Sequence, residues 1–377
     1  MRINVIIIGT DISNSFEAGS LRVRNLFDTI LDNPKYSVIN IIEEVHLTSE
    51  NDNLQYVKIS GWFRLFSIVS LFLRLKKESS NTILYNYNSI SFLFGDYIFI
   101  AKILRIPIVF DVVENIHVNV EYTRLLSLIK IHLNRFSEKV IYWYASGCIT
   151  ISNNLFKMFI EFSKYRCPIV HLPISVLMRE WEYTFSKDNS ELIIFYGGSF
   201  GPKDGLEYLI KAFDRVAYEF PSCVLHLSGK GATRHMIKIK DFLKNITNKD
   251  RIKMLGSLER CEYVKNVVSA DVVCVTRTNS KFANYGFPFK LGEYLAAGKA
   301  IIVSDISDVS TYLENEIDAF IIEPESVDAI EFALRKLLKN EKLRLELGKN
   351  AKIKALKYFD SKKVGLNFEL FLNKILH

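Results

Sequence analysis

Short apolar runs alternate with amphipathic stretches along this chain, in two separate series, and no other feature limits its fold so tightly. The first series has apolar runs at 5–8, 38–42, 82–85, 108–110, 148–151 and 169–172, with helix-period patterns between them at 21–31, 62–77, 95–104 and 122–144. Strands buried on both faces read as continuous apolar runs, and strand–helix alternation builds a parallel, doubly wound sheet. The polar stretch 173–190 reads as a linker. A second series follows, with strands expected at 192–196, 224–228, 252–255, 272–276, 300–304 and 319–322, and helices at 206–218, 234–244, 260–269, 288–297 and 327–338. The expected fold is therefore α/β, with two Rossmann-like domains at 1–175 and 190–355, and a C-terminal helix at 356–377 packing back on the first domain. Ligands of such sheets sit at the carboxyl ends of the strands, so a site shared across an interdomain cleft is expected.

Composition narrows the function classes. At 377 residues the chain exceeds one compact core, and two domains of roughly 150–200 residues each fit it better. The formal charge of +7 suits an anionic ligand or an anionic membrane surface without requiring nucleic acid. Five scattered cysteines with no C-x-x-C spacing argue against a disulfide framework or a zinc site and fit a reducing, cytoplasmic setting. The apolar run at 5–8 stops at Gly9, too short for a leader peptide, and reads as the first strand. No apolar run approaches the ~18 residues a membrane span needs.

Three stretches carry chemistry. In the first, a strand enters the loop 197–205, Gly-Gly-Ser-Phe-Gly-Pro-Lys-Asp-Gly, and then a helix. Glycines let backbone N–H groups approach an anion, and the helix start favours negative charge; Gly198, Ser199 and Lys203 are the candidates there. The bland alternative is a tight βα turn. The second, Gly229-Lys230-Gly231 after the next strand, reads more simply as a turn. The third is the run 284–299, Asn-Tyr-Gly-Phe-Pro-Phe-Lys-Leu-Gly-Glu-Tyr-Leu-Ala-Ala-Gly-Lys. Pro288 suits a helix start and Gly298 its C′ position. Lys290 and Glu293 share one face. The cation and the first-turn amides, up to Leu291, suit a diphosphate, and the carboxylate suits ribose hydroxyls; the alternative is an ordinary surface Lys–Glu pair. A lysine at a helix start opposes the dipole, so losing Lys290 is expected to leave the empty protein as stable or slightly more so.

The run Gly286 to Lys299 resembles the signature of the retaining family 4 glycosyltransferases (glycosyl transferases group 1), which have the GT-B fold of two facing Rossmann-like domains. The loop 197–205, Leu255-Gly256-Ser257-Leu258, Gly19-Ser20-Leu21-Arg22 and Ile149-Thr150-Ile151-Ser152 resemble further landmarks in the same order. The resemblance implies a nucleotide-diphosphate-sugar donor, a glycan or lipid-linked acceptor, no cofactor and no metal. On the donor side it implies Gly198, Ser199, Lys203, Arg277, Tyr285, Gly286, Phe287, Pro288, Leu291 and Glu293, with Lys290 catalytic and Glu293 on the ribose. The family's E-x7-E element departs here, since Tyr285 stands where its first acid falls. Ser199 and Asp204 stand where the family often carries Arg and Lys; Lys203 and Arg277 are the substitutes.

On the acceptor side, Gly19 and Arg22 follow the first strand. Glu114 and His117 follow the strand at 108–110, where an acid or histidine can hydrogen-bond a sugar hydroxyl; Glu114 is preferred as the catalytic candidate. Two basic, aromatic stretches bear on peripheral membrane contact. The stretch 56–77 is expected to be a core helix whose charged stems snorkel, and 122–144 leaves a core and a membrane-surface helix equally open. Two rival functions remain, a nucleotide-sugar epimerase of the same fold and a silent sugar-nucleotide-binding subunit.

Overall fold

The computed structural model describes residues 2–13, 17–42, 51–59, 61–88, 95–114, 143–163, 166–183 and 191–377. The chain divides into two compact units, Met1–Ser175 with Ser361–His377, and Val176–Asp360.

The first unit holds a seven-stranded parallel sheet: β1 (Ile3–Ile8), β2 (Tyr36–Ile42), β3 (Leu54–Lys58), β4 (Thr82–Tyr87), β5 (Ile108–Val112), β6 (Gly147–Thr150) and β7 (Ile169–His171). Their order is β3-β2-β1-β4-β5-β6-β7. Direction reverses between β1 and β4, the topological switch point where ligands of such sheets gather. β1 and β4 pair in register from Asn4↔Thr82 to Ile8↔Asn86. The helices Ala18–Leu31 and Ser361–Leu376 cover one face, where Phe368 meets Phe27 at 4.9 Å and Tyr85 at 5.7 Å. The last helix of the chain thus completes the core of the first unit, and the crossing back falls between Asp360 and Ser361.

The helix Arg64–Glu78 departs from the expectation of a core helix. Ile68, Leu71, Phe72 and Leu75 are buried, but Trp62, Phe63, Leu65 and Phe66 stand in solvent. Phe66 lies two residues from Ile68, about 200° around the helix, so one stripe can face the sheet while the other cannot. Most of the stretch 122–144, and His117, lie outside the described residues.

The second unit holds β8 (Leu192–Ser199), β9 (Cys223–Lys230), β10 (Ile252–Gly256), β11 (Val272–Val275), β12 (Ala300–Ser304) and β13 (Phe320–Ile322), in the order β10-β9-β8-β11-β12-β13. All pairings are parallel, and the switch point lies between β8 and β11. The helices Leu206–Ala217 and Val327–Lys339 pack on one face; Arg260–Ser269 and Phe289–Ala296 send Val267, Leu291 and Leu295 into the core. The expected linker at 173–190 is partly built into this unit. Met178–Trp181 forms a 3-10 turn, and Trp181 is buried edge-on to Tyr263 at 6.4 Å. Spaced apolar residues in a polar stretch conceal that packing.

Candidate functional site

The switch point of the second unit is closed by its own loops. The loop after β8 forms a 3-10 turn, Pro202–Asp204, before the helix Leu206–Ala217. The loop after β11 is stitched to it: the Thr278 amide donates to the Lys203 carbonyl at 2.9 Å, and Thr276 Oγ1 donates to the Asp204 carbonyl at 3.3 Å. Gly229, at the end of β9, has φ +138°, and a Cβ there would lie 1.8 Å from the Gly198 carbonyl oxygen. The residue read as a turn glycine is what lets the ends of β8 and β9 approach.

Ser199 and Asp204 are engaged with each other. Ser199 Oγ donates to Asp204 Oδ2 at 2.6 Å, and the Gly201 amide donates to the same oxygen at 3.0 Å. Asp204 is buried, so its carboxylate braces the loop from within. The two substitute cations come from the two stitched loops, Lys203 from the one after β8 and Arg277 from the one after β11. Lys203 lies 4.5 Å over the Phe282 ring. Arg277 is half-buried, its charge is felt by Tyr196, and its side chain has no ion-pair partner among the described residues.

The helix Phe289–Ala296 joins the same end of the sheet, because the Gly197 amide donates to Tyr294 Oη at 2.8 Å. Pro288 is the N-cap of this helix, and Gly298 follows its C-terminus at φ +65°. Glu293 is 1% exposed and holds two cations, Arg260 Nη1 at 2.5 Å from Oε1 and Lys290 Nζ at 3.0 Å from Oε2. Arg260 in turn meets Glu180 at 2.6 Å and lies over Trp181. Lys290 also stands 3.9 Å over the Tyr263 ring and is 28% exposed, the most open member of the group. Burial alone would raise the Glu293 carboxyl, but the charges of Lys290 and Arg260 outweigh it and hold the pKa below its ordinary value. Burial likewise opposes the Arg260 charge, and Glu293 and Glu180 overcome it.

Several expectations need correction. Glu293 is closed rather than open to a ribose; to accept ribose hydroxyls it must release a cation, and Lys290 is the exposed one. Phe287 packs in an aromatic cluster with Tyr312 and Phe359, and Leu291 is core, so both side chains support the helix start. The Leu291 amide is spent on the Pro288 carbonyl at 3.0 Å. Tyr285 and Gly286 are half-buried just before that start. Sequence reasoning missed Arg260, Glu180 and Tyr263; Arg260 reaches Glu293, Tyr263 lies under Lys290 and Glu180 holds Arg260, each from a distant element, so no local spacing reveals them.

In the first unit, Arg22 is not open to an acceptor. It is 2% exposed and grips Asp111 with two bonds of 2.8 Å, while Tyr85 Oη donates to the same carboxylate at 2.6 Å. Its remaining donors reach the Leu172 and Pro173 carbonyls. This buried pair ties the helix Ala18–Leu31 to β5 and to the segment after β7. Gly19 is half-buried where a Cβ would press on the Tyr87 ring at 2.7 Å. Burial raises the Tyr87 pKa, with Asp111 and, more weakly, Glu114 adding to it, so Glu114 stands at the same carboxyl edge as Gly19.

Residues 179–354, just under half of the chain, match the family described as Glycosyl transferases group 1. An uncharacterised glycosyltransferase of Methanocaldococcus jannaschii is 25% identical over 166 residues, 44% of this chain and 40% of the relative. The N,N'-diacetylbacillosaminyl-diphospho-undecaprenol alpha-1,3-N-acetylgalactosaminyltransferase of Campylobacter jejuni is 38% identical over 73 residues, 19% of each chain. The chain therefore spans less than half the length of either relative. Among solved structures, Anabaena HepE in complex with UDP-glucose superposes with a TM-score of 0.75 at 13% identity, over 99% of this chain and 100% of that one. The fold is the two-domain GT-B fold.

Proposed function

We propose that the chain transfers a glycosyl group, with retention at the anomeric carbon, from a nucleotide-diphosphate-sugar to a glycan or lipid-linked acceptor. The observation that carries this reading is the start of the helix Phe289–Ala296, where Lys290 stands half-open beside the loops of the switch point. The family match over 179–354, the UDP-glucose bound by HepE and the undecaprenol-linked substrate named for the Campylobacter relative support it. Lys290 swings from Glu293 to the diphosphate; Lys203, within the loop 197–205, and Arg277, in the loop after β11, add charge. Charge on the leaving diphosphate grows in the transition state, so fixed cations and amides there lower the barrier. Once Lys290 leaves, Glu293 Oε2 is free to accept a ribose hydroxyl. Glu114, with Gly19, lies on the acceptor side in the first unit. The scheme uses no metal, and chelation by EDTA is expected to leave turnover unchanged.

The test is a panel of nucleotide-sugars with the purified chain. One donor should raise the melting temperature and be hydrolysed slowly, and NMR of the transferred sugar should show the donor's anomeric configuration. If no nucleotide-sugar binds, the reading fails. A donor that binds but is never turned over, with or without acceptor, would favour a silent sugar-nucleotide-binding subunit. Tyr285 at the position of the first acid and the Ser199–Asp204 clasp are the observations behind that second reading.

A further inference from the structure

The first unit exposes an apolar, aromatic face that the transfer reaction does not use. Trp62 is fully exposed and Phe66 is 73% exposed; with Val69 and Leu73 they fall at i, i+4, i+7 and i+11, one stripe of the helix Arg64–Glu78 and the turn before it. This stripe is opposite the one that packs on the sheet. Isolated exposed apolar residues need no explanation, but a contiguous run of large ones marks a contact surface. The charge around it is one-sided. The helix carries Arg64, Arg74, Lys76 and Lys77 against Glu78, and it has no acid in its first turn. Arg64 is occupied by Asp96 at 2.7 Å; Arg74 meets Glu78 only at 3.9 Å.

We propose that this helix and the Trp62–Phe63 turn form a docking surface for an anionic lipid bilayer. Tryptophan and phenylalanine settle at the level of lipid headgroups, and lysine or arginine beside them pairs with anionic lipid. The same chemistry disfavours a second copy of the chain. A two-fold interface would set Lys76 and Lys77 near their own like charges, in a protein already carrying +7. Docking requires no membrane-spanning segment, and among the described residues no helix is long and apolar enough to be one. The surface does not rest on the proposed transfer chemistry, because vesicle binding is measured without donor or acceptor.

The full chain is sedimented with vesicles of phosphatidylcholine, with and without phosphatidylglycerol. Binding is expected only with phosphatidylglycerol and should fall sharply at 1 M salt, where screening shortens to about 3 Å. Lys76→Gln with Lys77→Gln should weaken it on the order of tenfold. Trp62→Ser with Phe66→Ser should weaken it at least as much, while melting temperature and donor binding stay at wild-type values. Vesicle binding by the Trp62→Ser, Phe66→Ser chain equal to wild type overturns the proposal. So does binding that ignores lipid charge and salt, or no binding at all. A wild-type dimer in sedimentation velocity that the same double variant splits, with no vesicle binding, would assign the surface to a second copy instead.

Discussion

Lys290 and Glu293 decide whether the second unit holds a phosphate site or a structural ion pair. Helix-dipole reasoning alone gives Lys290 no stabilising role in the empty protein. The buried Glu293 reverses that sign, because removing Lys290 leaves one carboxylate oxygen in the interior without a cation. Lys290→Ala is expected to destabilise by about 1–2 kcal/mol, limited because Arg260 still holds Oε1. It should also cut kcat on the order of 10²-fold, and Lys290→Arg should recover stability more than activity. Full activity in Lys290→Ala, read by donor consumption, would make the residue purely structural. Glu293 carries a pH signature. Its folded pKa is depressed, so its pairs contribute stability above the ordinary glutamate pKa of about 4.3, and that contribution is lost as pH falls through the folded value. Glu293→Gln should be less stable than wild type at pH 7 and should show a flatter acid limb. Parallel denaturation midpoints from neutral to acid pH would contradict the pairing seen here.

Among elements, the loop after β8 depends on the close approach of β9. Gly229→Ala must fit a Cβ 1.8 Å from the Gly198 carbonyl, at a backbone angle side chains rarely adopt. The expected cost is about 3 kcal/mol or more, with donor affinity lost before the fold is. Gly61 provides the control, since its φ is +85° but its Cβ would meet nothing within 4 Å, so Gly61→Ala should cost only about 1 kcal/mol. Equal melting temperatures for the two variants would show that the β8–β9 contact is not tight in solution. How legible each element is in the sequence follows from its surroundings. β1, β8 and β12 are continuous apolar runs because both faces are buried, and they can be read directly. β3 cannot, because this edge strand exposes Gln55 and Lys58 and breaks the pattern. Glu341–Lys354 is hidden for a related reason, a helix burying little beyond Leu347, Gly348 and Ala351. The helix Phe289–Ala296 is legible because Pro288 and Gly298 punctuate it, whereas the partners that close its face come from Arg260 and Glu180, which only the folded chain brings near.

At the scale of the whole molecule, the chain order and the fold order differ, since the last helix belongs to the first unit. The apolar periodicity of that segment marks a helix, but only its packing shows how much the first unit depends on it. Val364, Phe368, Phe371 and Leu372 are buried on the helix Ala18–Leu31 and the sheet beneath it. Gly365 sits where a Cβ would lie 2.2 Å from Thr29 Oγ1, which brings the two helices close. Burying a side chain of this size contributes about 1.5–3 kcal/mol, so the four together contribute about 6–12 kcal/mol as an upper bound. That is comparable to the whole stability of an ordinary domain, about 5–15 kcal/mol. A chain ending at Asp360 should therefore lose the first unit's unfolding transition in calorimetry. The second unit keeps all its own elements and should still melt cooperatively. Trp181 reports on it separately, being buried against Tyr263 in the second unit while Trp62 and Trp143 lie exposed in the first. In the truncated chain Trp181 should stay shielded from an aqueous quencher and any nucleotide-sugar should still bind, while transfer to an acceptor disappears. Two unaltered transitions after truncation would mean that the C-terminal helix only decorates the first unit, and loss of both would mean that the second unit cannot stand without the first.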